Sequence, residues 1–115
     1  MAPADCLFCR IVSGDVPADV VHSTPTTVAF RDLDPQAPTH VLVVPRLHQP
    51  DAASLAAADP GVLVDLVTTA AAVADLDGLG DGYRLVLNTG PAAQQSVFHV
   101  HLHVLGGRSM SWPPG

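Results

Sequence analysis

Between Ser96 and Gly107 the chain reads Ser-Val-Phe-His-Val-His-Leu-His-Val-Leu-Gly-Gly. Three histidines alternate there with Val100, Leu102 and Val104, a period of two. That is the spacing of a strand with one buried face. It predicts Val100, Leu102 and Val104 in the core and His99, His101 and His103 in a row on the other face, roughly 7 Å between alternate residues. Neighbouring imidazoles disfavour one another's ionisation and lower their pKa values. Neutral rings can then serve as nucleophiles, general bases or metal ligands. A polar strand face that is merely rich in histidine is the plainer alternative.

His99-Val100-His101-Leu102-His103-Val104-Leu105 resembles the His-x-His-x-His-x-x signature of the histidine triad family. The flanks resemble its nucleotide-binding branch: Asp34-Pro35-Gln36-Ala37-Pro38-Thr39-His40, Gln95-Ser96-Val97, Gly106-Gly107-Arg108 and Trp112-Pro113-Pro114-Gly115. With the cysteines at the front, the resemblance runs from Cys6 to the last residue. It implies a homodimer whose two sheets join. It also implies hydrolysis at the α-phosphorus of a purine nucleoside monophosphate carrying a leaving group, most typically an amine.

A chain of 115 residues is long enough for one domain with a real core, taken as 1–115 with a tail at 108–115. Charged residues make up 14% and apolar residues 48%, against a usual quarter charged. That is more hydrophobic surface than one small core hides, so an oligomer is expected. The net charge of −6 argues against a nucleic-acid partner. Every basic residue is Arg, which excludes lysine-dependent phosphate sites of the Walker and kinase types. No signal peptide and no membrane-length apolar run is present, so a cytoplasmic protein without a membrane partner is expected.

The expected fold class is α+β, with about five antiparallel strands, one long helix and one short one. Cys6 to Ser13 reads as a short helix stopped at Gly14. Val20–His22 and Thr27–Arg31 read as a hairpin turned at Ser23-Thr24-Pro25. His40–Pro45 is a continuous apolar run, the pattern of a central strand. Asp59-Pro60 opens the long helix. Val62, Leu63, Leu66, Val67, Ala70, Val73 and Ala74 form its apolar stripe, which ends near Asp77-Gly78. Tyr83–Leu87 is the next strand, and the loop from Asn88 leads into the histidine run.

Cys6-Leu7-Phe8-Cys9 has three readings. A thioredoxin-like redox pair would need a βαβ context, which is absent. The cysteines can be simply structural, or half of a zinc site completed by His48 and His99. The resemblance supports structural zinc on Cys6, Cys9, His48 and His99; no organic cofactor is implied. The flanked middle histidine, His101, is the expected nucleophile. An amine must be protonated as it leaves, which points to His103 or Ser96 once His99 is assigned to the metal. His103 and Asn88 would also hold the phosphoryl oxygens.

By the same resemblance, His40 stands beside the triad, Asp32 takes the ribose hydroxyls, and Asn88 and Ser96 match phosphate-site residues. Phe8, Ile11, Phe30 and Leu33 are apolar candidates to sandwich the base, and Trp112 reaches the partner's site. His22 matches no motif and is expected on the surface. One departure stands out: relatives carry Gly-Gly before Gln-Ser, and this chain has Ala93-Gln94. Glycine permits close approach and positive φ that these residues do not. A dinucleoside polyphosphate hydrolase or nucleotidyl transferase is the rival enzyme reading, separable by leaving-group assays. A non-catalytic nucleotide-binding module is the third, betrayed by binding without turnover.

Overall fold

The computed structural model describes residues 5–115. Its five strands are β1 (Val20–Ser23), β2 (Thr27–Arg31), β3 (Thr39–Pro45), β4 (Tyr83–Val86) and β5 (Leu102–Gly106). They form one antiparallel sheet in the order β1-β2-β3-β5-β4. The helices are α1 (Leu7–Ser13), α2 (Ala52–Ala58) and α3 (Pro60–Leu76). No described helix is long and apolar enough to cross a membrane.

Strand β3 is buried along its whole length because both its faces are covered. Val41 and Val43 join Ala29, Leu102 and Val104 beneath α2 and α3, against Leu55, Leu66, Ala70 and Val73. Leu42 and Val44 point the other way, joining Val28, Phe30 and Phe8 of α1 in a second cluster. Two layers of helix on one sheet explain the unbroken apolar run, since alternation disappears when neither face meets water.

Helix α3 begins as its sequence predicts. Asp59 is the N-cap, its carboxylate accepting the Val62 N–H at 3.3 Å, with Pro60 in the first turn. Its buried face is Val62, Leu66, Thr69, Ala70, Val73 and Ala74. The expected stripe is therefore shifted: Val67 is 49% exposed, and Thr69 goes inside. Its hydroxyl stays satisfied at 2.8 Å from that of Thr27, so the polar atom costs little to bury.

Two expectations need correcting. Among the described residues there are two short α-helices, not one, because α2 escapes detection: it is Ala-rich, and Leu55 is its one buried anchor. No apolar stripe announces it, although Asp51 caps it through the Ser54 N–H at 2.9 Å. The histidine run also does not form a single strand. β5 starts at Leu102, while the Val100 N–H bonds to the Gln49 carbonyl at 2.8 Å, outside the ladder. Val100, Leu102 and Val104 are buried as the period of two requires, and His101 and His103 stay side by side, but His99 leaves the row.

The end of β5 is pressed against the loop that leads into β3 and His40. Gly107 has φ +87°, and a Cβ there would lie 2.9 Å from Cβ of Pro38. Gly107→Ala is expected to destabilise the fold by about 1–3 kcal/mol, through left-handed strain and this contact. Urea unfolding should show a lower midpoint with an unchanged slope; an unchanged midpoint would mean the loop yields freely.

Candidate active site and metal centre

Antiparallel pairing sets Phe30 opposite Leu42 and Leu42 opposite His103. These three, on neighbouring strands, stand in a row on the α1 face of the sheet. His101 lies two residues before His103, just ahead of β5. Above this row is a cavity of about 430 Å³, lined among others by Phe8, Ile11, Phe30, Asp32, Leu33, Asn88, Ser96, His101 and His103. The predicted base-site, ribose-site and phosphate-site residues are thus brought together. Leu33 stands fully exposed at the rim, 102% of the reference area. Leu42, Val97 and Gln94 also line the space and were not anticipated. A continuous apolar strand gives no phase from which Leu42 could have been assigned a face.

The ring nitrogens can be assigned from their partners. Nδ1 of His101 lies 2.9 Å from the His99 carbonyl, which can only accept. Nδ1 therefore carries the proton and Nε2 keeps a free lone pair. Burial pushes the His101 pKa down, so this ring stays neutral. The Phe8 ring stands edge-on to it, centroids 5.0 Å apart.

His103 has the opposite tautomer. The Gln36 N–H donates to Nδ1 of His40 at 3.0 Å, so the proton of neutral His40 is on Nε2. That nitrogen donates to Nδ1 of His103 at 2.9 Å, which leaves the His103 proton on Nε2. Burial above all, and then His101 and His40, push the His103 pKa down to about 4. Side by side, with ring centroids 5.0 Å apart, the cavity thus holds one neutral imidazole with a free lone pair and one with an N–H to donate. Asp32 Oδ2 lies 3.5 Å from His40 Nε2, and its Oδ1 accepts the Asp34 N–H at 2.8 Å.

His99 is turned away from this pair. It is fully buried, and Nε2 donates to the Pro45 carbonyl at 2.8 Å. Nδ1 is left bare and faces Cys6 Sγ at 3.4 Å, Cys9 Sγ at 3.5 Å and His48 Nδ1 at 3.1 Å. Cys9 Sγ is 3.3 Å from His48 Nδ1, and the four donor atoms lie within 4.8 Å of one another. A tetrahedral zinc ion with two sulfur and two nitrogen ligands sets its ligand atoms roughly 3.3–3.8 Å apart. The donors fit that geometry and form a closed S₂N₂ set. Burial pushes the Cys9 thiol up to about 11, and a bound cation reverses that by taking the thiolate directly.

Asp32, His40 and His103 also place three ligand-type atoms within 4.8 Å. Here the chemistry does not fit a metal, because a hydrogen-bonded proton already occupies the space between His40 and His103. Freeing His40 Nε2 would move its proton to Nδ1, against the Gln36 N–H.

The remaining predicted residues fall at the edges. Ser96 is exposed on the rim. The Asn88 amide donates to the Ala93 carbonyl at 2.8 Å, shaping the loop before Ser96. Trp112 is 82% exposed and is absent from its own chain's cavity. The tail is tied to β4 by the Arg84 guanidinium, donating to the Ser111 carbonyl at 2.7 Å. His22 is half-buried on the edge strand β1 and lies outside the cavity.

Comparison with known proteins agrees with this geometry. The HIT domain family model matches residues 13–110. A 14 kDa zinc-binding protein from Zea mays is 45% identical over 95% of this chain and 87% of its own length. An adenylylsulfatase, HINT1, from Arabidopsis thaliana is 41% identical over 95% of this chain and 76% of its own. The crystal structure of a HIT family hydrolase from Legionella pneumophila superposes with a TM-score of 0.92, at 45% identity, over 96% of this chain and 100% of that one. With the family model spanning most of the chain and the three histidines in place, this protein belongs to the HIT domain family.

Proposed function

We propose that this protein hydrolyses purine nucleoside phosphoramidates, or related aminoacyl-adenylate-like substrates, through a nucleotidyl intermediate on His101. The observation that carries this is the pair of opposite tautomers in one cavity: a bare Nε2 on His101 beside an N–H on His103. The first is what a nucleophile at phosphorus requires; the second is what a developing phosphoryl charge requires.

His101 Nε2 attacks the α-phosphorus, the P–N bond breaks, and the amine departs with a proton that the solvent-exposed Ser96 hydroxyl relays from water, so that Ser96 ends as it began. The His101 ring becomes cationic as the bond forms. Its Nδ1–H remains bonded to the His99 carbonyl, and the Asp32 carboxylate favours the charge. Water then cleaves the phosphorus–nitrogen bond to His101 and releases the nucleoside monophosphate. His103, neutral and held by His40, donates to a phosphoryl oxygen throughout. Phe8, Ile11, Phe30 and Leu33 flank the base, and Asp32 receives the ribose. Zinc on Cys6, Cys9, His48 and His99 supplies structural cross-linking of α1 to the sheet and takes no part in these steps.

The relative named an adenylylsulfatase supports a second reading, the same nucleotidyl chemistry with sulfate as leaving group. We also propose a homodimer. β4 is a free sheet edge in this chain, with Tyr83, Leu85 and Leu87 exposed beside it and Val64 and Val67 exposed on α3. A second copy would cover these apolar residues and place Trp112 within reach of the neighbouring cavity.

His101→Ala should lower kcat on adenosine phosphoramidates by at least about 10³-fold while nucleotide monophosphate still binds. Quenching wild type in base should trap the nucleotide on His101; an adduct elsewhere removes the mechanism.

The acid side of the pH profile gives a second check. His101 has a depressed pKa, so kcat/KM should hold as pH falls through 6.5, where an ordinary imidazole would be half protonated. Stability should behave differently. His103 binds its proton more weakly folded, at about 4, than at the ordinary 6.5, so the unfolded chain gains protons first. Its contribution is complete above pH 6.5 and is lost as pH falls from 6.5 to about 4. Chemical denaturation across that range reads this out, and His103→Gln should flatten the slope.

For the metal, protein purified without chelator should contain about one zinc per chain by elemental analysis. Cys9→Ser should lose the metal and melt lower. Full zinc content in that variant would exclude the assignment.

A further inference from the structure

The loop from Gly90 to Ser96 carries a backbone feature that the proposed chemistry leaves unused. Gln94 has φ +68° and ψ +25°, and it is the one non-glycine residue with positive φ among the described residues. Left-handed backbone is strained for a residue with a Cβ, and Gln has none of the local bonding that eases Asn and Asp there. The conformation is forced by its surroundings. The Gln94 N–H bonds to the Pro91 carbonyl at 3.0 Å and the Gln95 N–H to the Gly90 carbonyl at 3.1 Å. The buried Gln95 side chain then staples the loop, accepting the Gly90 N–H at 2.9 Å and donating to the Pro50 carbonyl at 2.6 Å. Glycine would meet this demand without strain, so a glutamine held here asks for a reason in its side chain.

That side chain lines the cavity, is exposed, and takes part in none of the loop's side-chain hydrogen bonds among the described residues. Strand order fixes which end of the cavity it serves. Phe30 is on β2, Leu42 on β3 and His103 on β5, while the Gln94 loop springs from β4 on the far side of the histidines. An apolar wall thus lies on one side of the histidine pair and a polar loop on the other. A nucleotide with its base on the apolar wall and its phosphorus at His101 directs its leaving group toward Asn88, Ser96 and Gln94. The Asn88 amide gives one N–H to the Ala93 carbonyl and the Gln95 carboxamide is tied to Gly90, Pro50 and Val97, so Gln94 is the carboxamide at that end that makes no side-chain hydrogen bond among the described residues.

From this we infer that Gln94 is a specificity-determining residue that hydrogen-bonds the leaving group. It favours leaving groups with a carbonyl beside the departing nitrogen, as in amino-acid derivatives, over plain alkylamines. The carboxamide offers both a donor and an acceptor, and a neutral partner avoids adding charge at the reacting centre. This rests on the nucleotidyl-hydrolase reading above, and the test separates the two.

Binding of three non-hydrolysable probes would be measured by calorimetry: 5′-O-sulfamoyladenosine, its N-alanyl derivative and its N-propyl derivative. Wild type should bind the alanyl probe about five-fold more tightly than the propyl probe, the worth of one neutral hydrogen bond. In Gln94→Gly, which keeps the backbone shape and removes the side chain, that ratio should fall to about one. Gln94→Asn, which tolerates the left-handed conformation and keeps a shorter amide, should retain part of it. Equal ratios in wild type and Gln94→Gly overturn the inference, as does a wild type that prefers neither probe or binds none. Gln94→Gly should melt no lower than wild type, since strain is removed; a lower Tm overturns the premise of a strained glutamine. Turnover of the matching phosphoramidates by wild type is scored separately. If it fails while the binding ratio holds, the hydrolase reading falls and the role of Gln94 in ligand selection stands.

Discussion

The arrangement of this site depends on three hydrogen bonds between backbone groups and imidazole rings. The Pro45 carbonyl holds Nε2–H of His99, the His99 carbonyl holds Nδ1–H of His101, and the Gln36 N–H holds the bare Nδ1 of His40. A neutral imidazole has one proton and two nitrogens, so fixing a partner for one nitrogen decides what the other can do. Backbone groups are suited to that task, since the folded chain fixes their positions and they do not titrate. Three similar side chains in one short run thereby acquire three different chemical characters.

The same logic separates two clusters that distance alone would treat alike. Cys6, Cys9, His48 and His99 converge with His99 Nδ1 bare, two sulfurs and two ring nitrogens at the spacing of a tetrahedral ligand set. Asp32, His40 and His103 converge just as closely, yet a shared proton joins the two rings. The first grouping fits a structural zinc ion; the second is a hydrogen-bonded chain that orients His103. The two meet at His99, whose ring faces the metal ligands while its carbonyl faces His101. Order in α1, which supplies Phe8 and Cys9 and is capped by Cys6, is in this way tied to order at the proposed nucleophile.

Packing sets the electrostatics. Phe8, Phe30 and Leu42 bury the α1 face around the histidines, and desolvation is the leading cause of the depressed pKa of His99, His101 and His103 alike. On the other face, α3 is pinned by its Asp77 C-cap, whose carboxylate takes a bidentate pair from Arg31 at 2.9 and 3.1 Å and a bond from Thr39. Arg31 and Thr39 stand on the two strands, β2 and β3, that flank the loop leading to His40.

Much of the fold was legible in the sequence because its signals are local. Period-two alternation, the Asp59-Pro60 start, the Gly14 stop and the apolar run of β3 each act within a few residues, and the structure has a strand or helix at each. The α2 helix was not legible, since seven Ala-rich residues with one anchor carry no periodicity. For the site, the motif named the residues that the cavity and the ligand cluster bring together. The resemblance also put His99 with Cys6, Cys9 and His48, where the ligand cluster has it; the period of two alone could not, because that position depends on Pro45, Cys6 and Cys9, which lie more than 50 residues away. Nor could it give tautomers, which follow from backbone partners brought close only by folding. The glycine-type bend at Gln94 is the clearest case. Local preference argued against positive φ there, and the stapled loop imposed it, because tertiary hydrogen bonds outweigh the preference of one residue.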